Sequence, residues 1–149
     1  MSGGTAAAVV LSLSAGLAGS VQAAVMGKLG ERAGIFEAVA LAAVVAIVTA
    51  FAALVVARQG VGALGTAFRQ PAWLWTGGLA SAFIVVSITV AAPRIGVAAT
   101  IGLVIAGNLV MAAAIDRFGL LGVERIALHW PRLAGIALLA AGAALSLRK

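Results

Sequence analysis

The chain contains no cysteine, no tyrosine, one histidine and four acidic residues in 149 positions. Without cysteine there are no disulfides, no thiolate-bound metal and no thiol nucleophile. The lone histidine, His129, has no partner at metal-ligand spacing, so it reads as an interfacial residue and no metal is expected. No phosphate-binding glycine loop, zinc pattern or nucleophile elbow occurs. Neither a cofactor nor an enzymatic activity is expected. Sustained alternation of apolar and polar residues is also missing, which argues against a β-barrel. Charge is the scarcest property, because only 9% of residues are charged where soluble domains carry about a quarter.

What fills the chain is apolar: 64% of residues are hydrophobic and mean hydropathy is +1.20. A soluble core of this size cannot hide so much apolar surface, so the expected solvent is lipid. Five apolar runs stand out. Thr5–Met26 is interrupted only by polar residues such as Gln22. Ala38–Ala57, Trp73–Ala92 and Gly96–Ile115 each hold 20 residues without a charge, the length of one membrane crossing. Leu133–Leu147 holds only 15 and becomes adequate if it starts at Pro131 with Arg132 snorkelling to the surface. The expected architecture is one membrane domain over residues 1–149, with helices near 5–26, 35–57, 72–92, 96–116 and 131–147. GKLGERAG is read as the connection between the first two helices and Pro93 as the end of the third. Residues 5–19 resemble the core of a signal peptide, but no Lys or Arg precedes Lys28, so a retained first span is expected.

The net charge of +6 does not point to nucleic acid, because the basic residues lie scattered at the ends of apolar runs. They read as interface anchors and topology signals. Let side A be the N-terminal side. With five crossings, Arg58, Arg69, Arg117, Arg125 and Arg132 fall on side A, and Lys28, Arg32, Arg94, Arg148 and Lys149 on side B. A five-to-five balance gives the positive-inside rule nothing to choose by. A chain without a preferred orientation inserts both ways, and opposite copies pair about an axis in the membrane plane, as the inverted repeats of many transporters do. Trp73, Trp75 and Trp130 all fall on side A, as interfacial anchors. Small-xxx-small pairs such as Ala15–Gly19, Gly16–Ser20, Ala98–Gly102 and Gly102–Ala106, and Gly135 with Gly142, allow close helix approach. Within the monomer they pack helices. Between monomers they mark a seam.

Three stretches, VQAAVMGKLGERAG, PAWLWTGGLASAFIVVSITVAAPRIGVAATIGLVIAGNLVMAAAIDRFGLLG and PRLAGIALLAAGAAL, resemble the YdcZ-type five-helix proteins of the drug/metabolite transporter (DMT) superfamily. The resemblance covers nearly the whole chain and is strongest over 73–122. It implies a multi-pass protein of the bacterial inner membrane that moves small metabolites by alternating access. Export coupled to protons is the implied direction. It also implies a fold equal to half of a ten-helix inverted-repeat transporter. The chain departs from the family pattern at Asn108, where glutamine is usual, at Met26, where asparagine is usual, and at Glu37, where an apolar residue is usual. These changes bear on substrate rather than fold.

Few polar side chains remain to do chemistry. Asn108 lies about 4 Å from the centre of its run. An amide at that depth must face protein or a water-filled cavity, so it is either an interhelical hydrogen bond or a substrate ligand. Counting from the charged run ends puts Gln22 about 9 Å from side B, and Asn108 of an inverted partner about 12 Å from the same side. The two amides are therefore expected to line a shared central cavity in an antiparallel homodimer. Thr76, Phe83 and Ser87 share one helix face and form either a wall for an organic substrate or a packing face with hydroxyls bonded to their own backbone. Glu37 is a carboxylate suited to the start of a helix, with Gly34 as the cap, or a proton-coupling group. Asp116 and Arg117 close the fourth run, with Gly119 as the helix cap, and read as a structural or gating ion pair. Arg125 and Arg58 are the other expected partners of Asp116, whose charge opposes the helix dipole. The expected function is a small-molecule exporter working as an antiparallel dimer. The alternatives are a membrane scaffold or accessory subunit, or one half of a heterodimer.

Overall fold

The computed structural model describes residues 3–58, 62, 64–127 and 129–147. Among them the secondary structure is entirely helical. The helices are α1 (Gly3–Ala33), α2 (Ile35–Arg58), the short α3 (Leu64–Phe68), α4 (Thr76–Ile95), α5 (Val97–Phe118) and α6 (Trp130–Leu145). Short 3-10 turns cover Ala72–Trp75 and Leu120–Gly122. Four segments are long and apolar enough to cross a membrane: Gly4–Ala33, Ile35–Ala57, Ala72–Ile95 and Val97–Phe118. Helix α6 is shorter, at 16 residues, or about 24 Å of rise against a hydrocarbon core of about 30 Å.

Two expected boundaries move. GKLGERA is not a loop: α1 runs through it to Ala33. A single residue, Gly34 at φ 104°, then makes the turn. Its N–H donates to the Gly30 carbonyl and its own carbonyl accepts from Ala38 N–H, both at 3.1 Å. One glycine thus ends α1 and caps α2. Pro93 does not end α4, which continues to Ile95. A proline in the last turn removes only one backbone donor, and the Gly96 N–H still reaches the Ala92 carbonyl at 3.0 Å. Gly96, at φ 85°, repeats the device of Gly34: its carbonyl accepts from Thr100 N–H at 3.1 Å. Both turns need a backbone conformation that side chains with a Cβ disfavour.

The chain divides into two compact units. In the unit formed by residues 25–90, the tightest approach is between α1 and α4. A Cβ added to Gly30 would stand 2.7 Å from Thr89 Cγ2. Thr89 is only 1% exposed, and its hydroxyl donates to the Val85 carbonyl one turn back at 2.7 Å. Met26, Ala38 and Ile88 are buried in the same unit.

The other unit, residues 1–24 and 91–149, is organised by α5 against α6. A Cβ on Gly102 would meet Ala143 Cβ at 3.1 Å and its Cα at 3.3 Å. Gly102 therefore serves packing within the chain, whereas Gly16, Gly19, Gly135 and Gly142 have nothing within 4 Å. Ala23, Ala92, Ala99, Thr100 and Ala113 are buried here.

Candidate functional site

Helix α5 places Asn108 twelve residues beyond the Gly96 turn, about 18 Å along the axis. That is the middle of a 22-residue helix. The side chain is exposed on the chain surface. Gln22 is exposed too, and with α1 running to Gly34 it also lies twelve residues from its glycine turn. The longer α1 thus moves Gln22 from about 9 Å to about 18 Å from its turn. Each amide now sits at mid-helix.

The hydroxyls and these two amides are treated differently. Ser14, Ser20, Thr49, Ser87, Thr89 and Thr100 each donate to the carbonyl four residues back, and Thr76 donates to Trp73 O. Such bonds make a hydroxyl tolerable in hydrocarbon. The Gln70 amide donates to the Thr66 carbonyl in the same way, but the amides of Asn108 and Gln22 have no hydrogen bond among the described residues.

On α4, Thr76 is exposed, Ser87 is half-buried and Phe83 is 72% exposed. Since both hydroxyls are committed to backbone carbonyls, what this face offers a ligand is chiefly the Phe83 ring. Glu37 is the third residue of α2 and its carboxylate folds back over Gly34. A carboxylate there meets the positive end of the helix dipole.

At the other end of α5, Gly119 adopts φ 63° and donates its N–H to the Ile115 carbonyl, forming a left-handed helix cap. Leu121 is also left-handed, at φ 59°, which is unfavourable for a branched side chain. The chain then doubles back, and Ile126 N–H bonds the Asp116 carbonyl at 2.9 Å. Arg125 lies across Gly119, where an added Cβ would meet its Cγ at 2.6 Å and its Nε at 3.1 Å. A cation over the negative end of α5 is favourable. Asp116 is half-buried and engaged in a contact, and Arg117 is exposed. Sequence reading offered Arg125 as one possible partner for Asp116, but the loop that brings it to the helix end, through the Ile126 bond, appears only in the structure. No group of three or more metal-ligating side chains occurs among the described residues.

Long apolar helices with no strand among the described residues, hydroxyls turned onto their own backbone and charges kept near helix ends define a multi-pass membrane protein. Residues 7–145 match the family described as "Putative inner membrane exporter, YdcZ". The chain belongs to this YdcZ-type family of the DMT superfamily, and is thereby an inner-membrane protein of the transporter class. No curated protein and no solved structure matches it.

Proposed function

We propose that the chain exports a small organic molecule as an antiparallel homodimer, with α6 as a fifth crossing and alternating access around a midplane cavity. One observation carries this reading. Asn108 is exposed and without a hydrogen bond at the centre of a membrane helix, where an unsatisfied amide costs several kcal/mol. Something outside the single described chain covers it, and a second inverted copy around a wet cavity does so. Counting from Gly119, Asn108 lies eleven residues from the side A end of α5, about 16 Å. Inversion leaves it near the depth of Gln22. With α1 running to Ala33, however, the two amides also share a depth within one chain, so depth does not favour inversion over a single chain. The open glycine faces of α1 and α6 are compatible with such a seam.

In liposomes the protein should give substrate-dependent flux that Asn108→Ala or Gln22→Ala abolishes while helicity and thermal stability hold. The cysteine-free chain allows a Gln22→Cys/Asn108→Cys pair, which should crosslink between subunits. Flux unaffected by either alanine, with no crosslink, would leave the scaffold reading.

The length of α6 favours a second reading. If its 16 residues do not cross, the C-terminus stays on side A, and Arg148 and Lys149 join Arg58, Arg69, Arg117, Arg125 and Arg132 there. The balance becomes seven to three, a single orientation follows, and an inverted dimer needs a related partner of opposite bias. These two terminal residues, and the side chains of Arg58 and Arg132, lie outside the described ones. Reporters fused to the C-terminus distinguish the readings: activity on both faces means crossing in two orientations, and activity on one face selects the heterodimer.

A further inference from the structure

The loop after α5 shapes an open surface pocket of about 480 Å³ lined by Arg117, Phe118, Arg125, Ile126 and Ala127. Its volume lies within the range of small-molecule sites. We propose that it binds an organic anion bearing a phosphate or carboxylate, at the side A membrane surface.

Three features build the site. The Ile126 N–H to Asp116 carbonyl bond returns the chain so that Arg125 stands beside Arg117, eight positions earlier. Gly119 lacks the Cβ that would displace Arg125, which fixes the guanidinium stem against the helix end. The remaining lining is apolar, from Phe118, Ile126 and Ala127. The loop's two acids, Asp116 and Glu124, are not among the lining residues, so the described wall presents two positive charges and no negative one. Guanidinium groups offer paired N–H donors that match the two oxygens of phosphate or carboxylate. A basic pocket at a membrane surface recognises an anionic headgroup in this way, and an anionic solute offers the same oxygens. The site needs no second copy and no transport, so its success or failure is separate from that of the exporter reading.

The test uses the full-length protein in an uncharged detergent at low salt. Native mass spectrometry reads retention of phosphatidylglycerol against phosphatidylcholine, and a thermal-shift titration reads inorganic phosphate. Retention of phosphatidylglycerol with no response to phosphate assigns the site to a lipid headgroup. A phosphate response that competes with the lipid assigns it to a free anion. Either result supports the site, provided that Arg117→Gln and Arg125→Gln each weaken it about tenfold. Arg125→Lys should restore part of the affinity, because it keeps the charge and loses the fork. Arg94→Gln, at the far end of α4, should change nothing. If Arg125→Gln fails to fold, Arg117→Gln alone decides, because that side chain is exposed. Equal retention of both lipids with no phosphate response overturns the proposal. So does wild-type binding in folded Arg117→Gln.

Discussion

The two halves of α4 are equally apolar and differently used. From Thr76 to Ile84 the helix presents exposed side chains, among them Leu79, Phe83 and Ile84. From Val85 to Ala92 every residue is half-buried or buried. Hydrophobicity does not separate the halves, because lipid is as apolar as a protein core and gives no reason to hide leucine. Size does not separate them either, since the exposed half holds Gly77, Gly78, Ala80 and Ala82 beside Leu79 and Phe83, and the packed half holds the buried Ile88. A neighbour separates them: at Thr89 the packed half meets Gly30 of α1. Close approach, not removal from water, builds the packed part of this protein.

The largest effect should come from filling the approach. Gly30→Leu drives a branched side chain into Thr89 and should destabilise by about 2–3 kcal/mol, read by reversible unfolding in lipid–detergent mixtures. Gly77→Leu, with nothing within 4 Å, is the matched change in the exposed half and should be near neutral. A large cost at Gly77 would break the comparison and reveal a protein neighbour over that half.

The glycine turns come next. Gly96→Ala meets open space and should cost only backbone strain, about 1–2 kcal/mol. Gly34→Ala should cost more, because its Cβ also displaces the Glu37 carboxylate. In Gly34→Ala/Glu37→Ala the excess should vanish, an interaction that a double-mutant cycle of unfolding free energies measures.

Smaller effects sharpen the contrast. Thr89→Val removes the hydroxyl bond to Val85 O, a bond within the helix to an oxygen that keeps its backbone N–H donor, and should cost only about 0.5 kcal/mol. Phe83→Ala, on a side chain exposed in the single chain, should change stability by less than about 0.5 kcal/mol if lipid alone covers it. A change in the apparent affinity for substrate, without a change in stability, would instead place the Phe83 ring on the transport path.

Legibility followed the same division. Run lengths gave the four long helices, because spanning length is a one-dimensional quantity. The Gly34 and Gly119 caps were also readable, since they depend on neighbours three or four residues away. The extent of α1 was not. GKLGERA carries charges and glycines that suggest a loop, yet Gly27 is buried and Gly30 half-buried, and Gly30 packs against Thr89 of α4. Pro93 misled in the same way, since its position in the last turn leaves the closing bond from Gly96 intact. Asn108 could be flagged by its depth, but its lack of a hydrogen bond appears only in three dimensions. The Arg117–Arg125 pocket left no local signal beyond Arg125 as one possible partner of Asp116.

By itself the amino-acid sequence determined the apolar character, the helical class, the four long apolar helices and the family, because these follow from composition and from patterns along the line; the expected fifth crossing is not among them. Only the tertiary structure decided which glycines are contact points. The pair Gly102 and Gly135 shows why. Both are glycines in apolar helices, and nothing local distinguishes them. An added Cβ on Gly102 would meet Ala143, and one on Gly135 would meet nothing within 4 Å, because close packing depends on which helix lies opposite.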